Sequence, residues 1–282
     1  MSKLGAAVLN AADHLFPKPA HPFNMRNGSD KTYADWQYEK GAETLKYYLD
    51  RYTTDDLFLD KRIVDFGCGE GGKTVYYAGL GAKDATGIEI FPEYEEKANR
   101  FAAKHNCTNF RFLLDDAEHL SLESDAYDTV IMNDFMEHVS EPEKALQEAL
   151  RILRPGGRVF INFSPYYHPY GAHLWDAIGM PWVHVFFSEQ SMIDVYCRRV
   201  RDLPDGAARM ALRFSEGSDG KLHLDYINHM TIARFESILE RLQITPEYYH
   251  LTPLRPQLSP LAKTKLLREP MNKMVTCVLT KQ

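Results

Sequence analysis

The sequence predicts a doubly wound α/β fold: a seven-stranded, mostly parallel sheet with an insertion after its fifth strand. Three observations lead there. Between residues 56 and 163, short apolar runs rich in β-branched residues alternate with helical stretches five times. The first run ends in a glycine-rich turn, the hallmark of a Rossmann-like sheet. Two further strand-like runs close the chain after residue 229, the right number to complete the sheet.

The elements follow in order. Residues 1–16 hold one lysine and an alanine-rich run interrupted by Asn10 and Asp13. That makes a poor secretory signal and a fair amphipathic helix. Proline, asparagine and glycine in PKPAHPFNMRNGSD read as a loop. Asp35–Arg51 reads as a helix with a stripe of Trp36, Ala42, Leu45, Tyr48, Leu49 and Tyr52. Ile63, Val64 and Phe66 form the first strand, and TVYYAGL after the glycines suits a helix. Ala85–Ile90, Phe110–Leu114, Tyr127–Met132 and Arg158–Phe163 read as strands two to five. Helices fall over Pro92–His105, with proline tolerated in the first turn, and over Glu141–Leu153, stopped by RPGG. Thr231–Leu242 is a helix, and Thr245–Leu251 and Met274–Leu279 are the last two strands. This divides the chain into a helical cap (1–55), a core (56–163), an insertion (164–228) and a returning part of the sheet (229–282).

In such a sheet the ligand lies outside the carboxyl ends of the strands. The glycine turn fits two spellings. Gly67, Gly72, Lys73 and Thr74 fit the phosphate loop G-x-x-x-x-G-K-T. Asp65, Gly67, Gly69 and Gly71 fit D-x-G-x-G-x-G. The strand ends decide between them, because they carry Asp65, Glu70, Glu89, Asp115, Asp116, Asn133 and Asp134. Carboxylates crowded around a polyphosphate are costly at short range. An adenosine bearing a sulfonium and an ammonium fits an acidic rim. Glu89, 18 residues beyond Gly71, stands where an acid accepts from ribose hydroxyls.

VDFGCGEG, GIEI, LLDDAEHL, YDTVIMNDFMEHV and LRPGGRVFINF resemble, in order, the motifs of the class I S-adenosylmethionine-dependent methyltransferases. The resemblance is to the ubiquinone-biosynthesis-like, methyltransferase type 11 branch, and it covers about residues 60–163. It implies S-adenosyl-L-methionine as cofactor. It implies cofactor contacts from Asp65, Gly67, Cys68, Gly69, Glu89, Ile90, Asp116, Ala117 and Asn133. Asp65 equally suits bracing the loop, and Cys68 reads as a small loop residue, not a nucleophile.

Methyl transfer is an in-line displacement in which the cofactor carries the reactivity and the protein aligns the partners. A hydroxyl acceptor calls for a base. The insertion holds His168, His173 and His184 among Tyr166, Tyr167, Tyr170, Trp175 and Trp182. Histidine titrates near neutral pH, and aromatics suit a flat organic substrate. His173 and His184 are therefore the leading base candidates and His168 a lesser one, against a purely structural role in an aromatic lid. No i, i+4 histidine pair signals zinc, and His138 reads as structural.

Composition narrows the classes. A net charge of −6 over 282 residues, with interspersed signs, argues against a nucleic-acid partner. The N-P-P-[YF] motif of nucleic-acid amino methylation is absent after the fourth strand, where the chain reads NDFM. Four scattered cysteines signal no disulfide framework, so a cytoplasmic setting is expected. No run reaches the ~20 apolar residues of a membrane span. The expected function is methylation of a small organic acceptor, oxygen before nitrogen or carbon, with release of S-adenosylhomocysteine. The alternatives are a phosphate-loop ATPase or kinase using Lys73, Thr74 and Asp134, and a non-catalytic cofactor-binding module. Oligomeric state is not legible.

Overall fold

The computed structural model describes residues 2–19, 21–26 and 31–282. In chain order the helices are α1 (Ser2–Asp13), α2 (Pro22–Arg26), α3 (Tyr33–Leu45), α4 (Thr54–Leu57), α5 (Gly72–Ala78), α6 (Glu95–Lys104) and α7 (Pro142–Ile152). They continue as α8 (Val183–Phe186), α9 (Glu189–Val200), α10 (Gly206–Arg213), α11 (Ile232–Arg241), α12 (Ser259–Ala262) and α13 (Arg268–Met271). The strands are β1 (Arg62–Phe66), β2 (Asp84–Glu89), β3 (Phe110–Leu114), β4 (Tyr127–Asn133), β5 (Leu153–Phe163), β6 (Phe214–Glu216), β7 (Leu222–Leu224), β8 (Tyr248–Pro253) and β9 (Asn272–Thr280). They group into two compact units. A sheet unit takes Gly28–Phe163, Ala233–Thr252 and Met274–Gln282. An insertion unit takes Met1–Asn27, Ser164–Ile232 and Pro253–Lys273.

The sheet unit carries seven strands in the order β3-β2-β1-β4-β5-β9-β8. β1 pairs in parallel with β2 and with β4, β2 with β3, and β4 with β5. β9 runs antiparallel to β5. The expected seven-stranded, mostly parallel sheet is therefore observed. Every residue of β4 is buried, as a central strand covered on both faces requires. The main core packs Leu45, Tyr48, Tyr52, Phe58, Ile63, Tyr77, Ile131, Phe160 and Val278 together.

Several elements differ from their expected limits. α3 starts at Tyr33, because Thr32 and Asp35 form a reciprocal capping box, and it ends at Leu45. Its buried face is Ala34, Gln37, Gly41, Thr44 and Leu45, while Ala42 and Leu49 of the expected stripe are exposed. The glycine explains the shift. A Cβ on Gly41 would overlap the Tyr76 ring, and one on Gly72 would overlap the Ala34 carbonyl, so α3 and α5 meet backbone to backbone. Gly72→Ala forces that contact apart. We expect a loss of about 1–3 kcal/mol, read as a lower melting temperature; an unchanged one would show that α3 yields freely. The sixth expected strand is displaced to Tyr248–Pro253, and β5 runs back through Gly156, at φ +79°, to Leu153. Pro22–Arg26 forms α2 within the expected N-terminal loop, whose residues 20 and 27–30 lie outside the described residues.

The insertion unit has its own core, in which Ala6 and Leu9 of α1 join Leu174, Ile178, Ile193, Tyr196, Phe214 and Ile227. Asp176 is its polar centre. Its carboxylate accepts from Arg209 Nη1 at 3.2 Å, Arg213 Nη2 at 3.0 Å and the Tyr196 hydroxyl at 2.8 Å, with all three charged side chains at or below 2% exposure. β6 and β7 make a small antiparallel hairpin.

Candidate active site

β1 lies between β2 and β4, and the chain turns opposite ways on either side of it. A crevice opens at such a switch point. The turn after β1 is built for it. Gly67, Gly69 and Gly71 have φ of +70°, +56° and +77°, a conformation side chains resist. The Gly67 and Cys68 amides donate to the Ile88 carbonyl at 2.9 and 3.0 Å. Cys68 Sγ sits 2.7 Å from where a Gly87 Cβ would stand, which explains the glycine inside β2. Cys68 thus turns its thiol into the sheet, where burial pushes its pKa up.

Glu89, at the end of β2, organises this turn. Its Oε2 accepts from the Gly69 amide at 3.0 Å, and its Oε1 from Ile90 and Phe91 at 2.8 and 3.2 Å. Burial raises its pKa, against these three donors. Ile90 leaves its side chain more than half exposed beside it. Asp65 accepts from the Thr74 hydroxyl at 2.6 Å. Burial lifts it to about 6, against Thr74 and the Lys73 charge. The hydrogen bond at Asp65 is therefore the loop brace.

The remaining acids divide. Glu70 does not join the expected rim: it is buried, accepting from the Ala34 amide at 3.1 Å and from Lys97 at 3.0 Å. Asp115 accepts from both the amide and the hydroxyl of Ser121. Asp116 is about half exposed after β3, accepting from the Glu118 amide at 2.9 Å, and Ala117 beside it is buried. Asn133 turns its side chain inward. Its Oδ1 accepts from Tyr48 at 2.6 Å and Asn162 at 2.7 Å, and its Nδ2 donates to Tyr77 at 3.1 Å. That position offers a ligand only its main chain.

Gln37, absent from the expected set, clamps the turn: its Nε2 donates to the Cys68 carbonyl at 3.1 Å and its Oε1 accepts from the Gly72 amide at 3.3 Å. The face Gln37 shares with Gly41 and Thr44 is too weakly apolar for a buried amide to stand out in the sequence. Tyr33, stacked on Trp36 at 5.7 Å, reaches within 3.6 Å of a Gly69 Cβ position, at the mouth of the turn.

The phosphate-loop spelling is not used as such. The Lys73 ammonium pairs with Asp134 at 3.0 Å, and the Thr74 hydroxyl serves Asp65.

The three histidines belong to the insertion unit. His168 Nδ1 accepts from the Tyr170 amide at 3.3 Å. The His184 ring packs against Tyr166 at a tilt of 55°, with centroids 4.7 Å apart. Burial draws both down to about 4, so neither titrates near neutral pH as expected. His173 has a left-handed backbone at φ +53°, and its carbonyl accepts from Arg213 Nε at 3.2 Å.

An open α/β sheet of this order, a glycine turn at its switch point and an acid fastening that turn define a nucleoside-binding domain. Comparison with known proteins gives the class. Residues 64–161 match the family model described as a methyltransferase domain. The chloroplastic tocopherol O-methyltransferase of Arabidopsis thaliana is 30% identical over 150 residues, covering 53% of this chain and 43% of that protein. The ubiquinone biosynthesis O-methyltransferase of Aeromonas salmonicida is 36% identical over 102 residues, covering 36% and 42%. The chain thus spans less than half the length of these curated relatives. Among solved structures, the PH0226 protein of Pyrococcus horikoshii superposes with a TM-score of 0.54 at 16% identity, over 93% of this chain and 97% of that one. A putative S-adenosylmethionine-dependent methyltransferase from Listeria monocytogenes gives 0.52 at 18%, over 86% and 99%, and these two likenesses support the fold. Residues 64–161 thus match a methyltransferase domain, and both curated relatives are methyltransferases by name, which favours the methyltransferase reading over the phosphate-loop one. No helix among the described residues is long and apolar enough to cross a membrane.

Proposed function

We propose that this protein binds S-adenosyl-L-methionine and transfers its methyl group by in-line displacement to a hydroxyl of a small organic acceptor, releasing S-adenosylhomocysteine. The observation that carries the reading is the bond from Gly69 to Glu89. It closes the glycine turn on the acid that serves the ribose, at the switch point of the sheet. Asp116 serves the adenine end, with Ile90 and Ala117 as its apolar surroundings, and the main chain at Gly67, Cys68 and Asn133 serves the tail. When bound, the sulfonium supplies the electrophilic methyl carbon, and the residues here bind, orient and exclude water.

Both curated relatives are named as O-methyltransferases, which favours oxygen over nitrogen or carbon. The aromatic insertion, with Tyr166 packed on His184 and His229, suits a flat acceptor. A general base works best with a pKa near the working pH. That demotes His168 and His184, drawn to about 4, and leaves His173 as the proposed base. The four free cysteines accord with a cytoplasmic setting.

Calorimetric titration tests the reading directly. S-adenosylhomocysteine is expected to bind and ATP–magnesium is not; the reverse would refute the assignment. With binding established, a panel of phenolic, carboxylic and amino acceptors reads turnover. His173→Gln is expected to lower kcat at least 100-fold with cofactor affinity unchanged, within the usual ~10²–10⁴ range for a lost base. Full turnover in that variant would remove His173 from the mechanism.

A further inference from the structure

The lysine and threonine of the glycine turn spell a phosphate loop that the domain does not use, and this leaves Lys73 to be explained. Its ammonium lies at the switch point with the side chain only 14% exposed, 3.0 Å from Asp134 Oδ2. Asp134 follows β4 in a left-handed conformation at φ +52°, with its amide bonded to the Asn162 carbonyl at 2.9 Å. The strand end is thereby fixed while the carboxylate, 45% exposed, reaches across to Lys73. Burial works against the ammonium, yet Asp134, with the Tyr77 and Tyr33 hydroxyls, outweighs it and holds the lysine above its ordinary pKa. Lys73 is also close enough to Asp65 to favour its ionised form. One fixed cation and one half-exposed anion thus face each other across the glycine turn.

Resting on the cofactor reading above, we infer that Lys73 and Asp134 form a zwitterion subsite for the cofactor's α-amino-acid tail, Lys73 taking its carboxylate and Asp134 its ammonium. In the empty protein the two charges neutralise each other. A tail carrying one charge of each sign replaces each partner with an equivalent one, so neither charge is left bare when the tail enters. A nucleoside without the tail finds the pair closed and gains nothing from it. No covalent step is involved.

The test uses the full-length protein and three nucleosides titrated calorimetrically: S-adenosylhomocysteine, its decarboxylated analogue, and 5′-methylthioadenosine, which lacks the tail. In the wild type, the decarboxylated analogue is expected to bind about 10–100-fold more weakly than S-adenosylhomocysteine, the range of a charge-assisted hydrogen bond. Lys73→Met is expected to lose the same factor toward S-adenosylhomocysteine and to bind the other two as the wild type does. Lys73→Arg is expected to restore most of the difference. The wild-type comparison does not depend on any variant folding, and unliganded melting curves control for the rest. Equal loss toward all three ligands, or no loss toward S-adenosylhomocysteine, overturns the subsite while leaving the cofactor reading intact. A wild-type protein that binds none of the three removes that reading and the subsite with it.

Discussion

Asp176→Ala is expected to unfold the insertion unit. The substitution leaves Arg209 and Arg213, both 2% exposed, without the carboxylate that bridges them, and strips the Tyr196 hydroxyl of its acceptor. Breaking a buried pair by removing one partner costs about 3–5 kcal/mol, and here one anion serves two cations. Set against the ~5–15 kcal/mol of a typical domain, that is a large share. Limited proteolysis should show new cleavage within residues 164–232, with a lower melting temperature. Asp176→Asn keeps the shape and one good acceptor and should fall between. A fully protease-resistant Asp176→Ala would mean that other groups, such as the Phe23 carbonyl that already accepts from Arg209 at 2.8 Å, suffice for both guanidiniums.

Glu89→Ala should abolish measurable binding of S-adenosylhomocysteine, a loss of at least ~100-fold. Two effects add. The amides of Gly69, Ile90 and Phe91 lose their common acceptor, at about 1–3 kcal/mol for each that stays buried and unsatisfied. The ribose loses its acceptor under the proposed reading. Glu89→Gln separates the two contributions in part: its amide oxygen can hold one side of the turn, while its NH₂ faces a donor on the other. Hydrogen exchange at Gly69 should quicken in both variants and more in the alanine. Undiminished affinity in Glu89→Ala would sink the assignment of this acid to the cofactor.

Much of the sheet was legible because each strand is a short apolar run bounded by glycine, proline or charge, and because parallel pairing demands the helices between. The turn was legible letter by letter: Gly67, Gly69 and Gly71 all take the positive φ that glycine permits. Glu89 ends the second strand, as read from the apolar run before it and its spacing from Gly71. Side-chain direction was less accessible. Glu70 reads as one more acid in an acidic turn until the fold brings Lys97 to it. Asn133 reads as a strand-end ligand group until Tyr48 and Asn162, 85 and 29 positions away, occupy its oxygen. Gln37 was hidden because its helix presents glycine and threonine, not large apolar residues, to α5. The histidines misled for a different reason: their usual pKa holds in water, and burial removes it from His168 and His184.

The insertion unit draws α1 against α9, and the ion pair between Asp13 and Arg199 joins positions 186 apart in the chain. A ribosome adding roughly 5–20 residues per second takes about 10–40 s to cover that span. Through that interval Ala6 and Leu9, fully covered in the finished protein, have no mate to cover them. During synthesis α1 therefore leaves the ribosome with its apolar face bare and keeps it so until α9 follows.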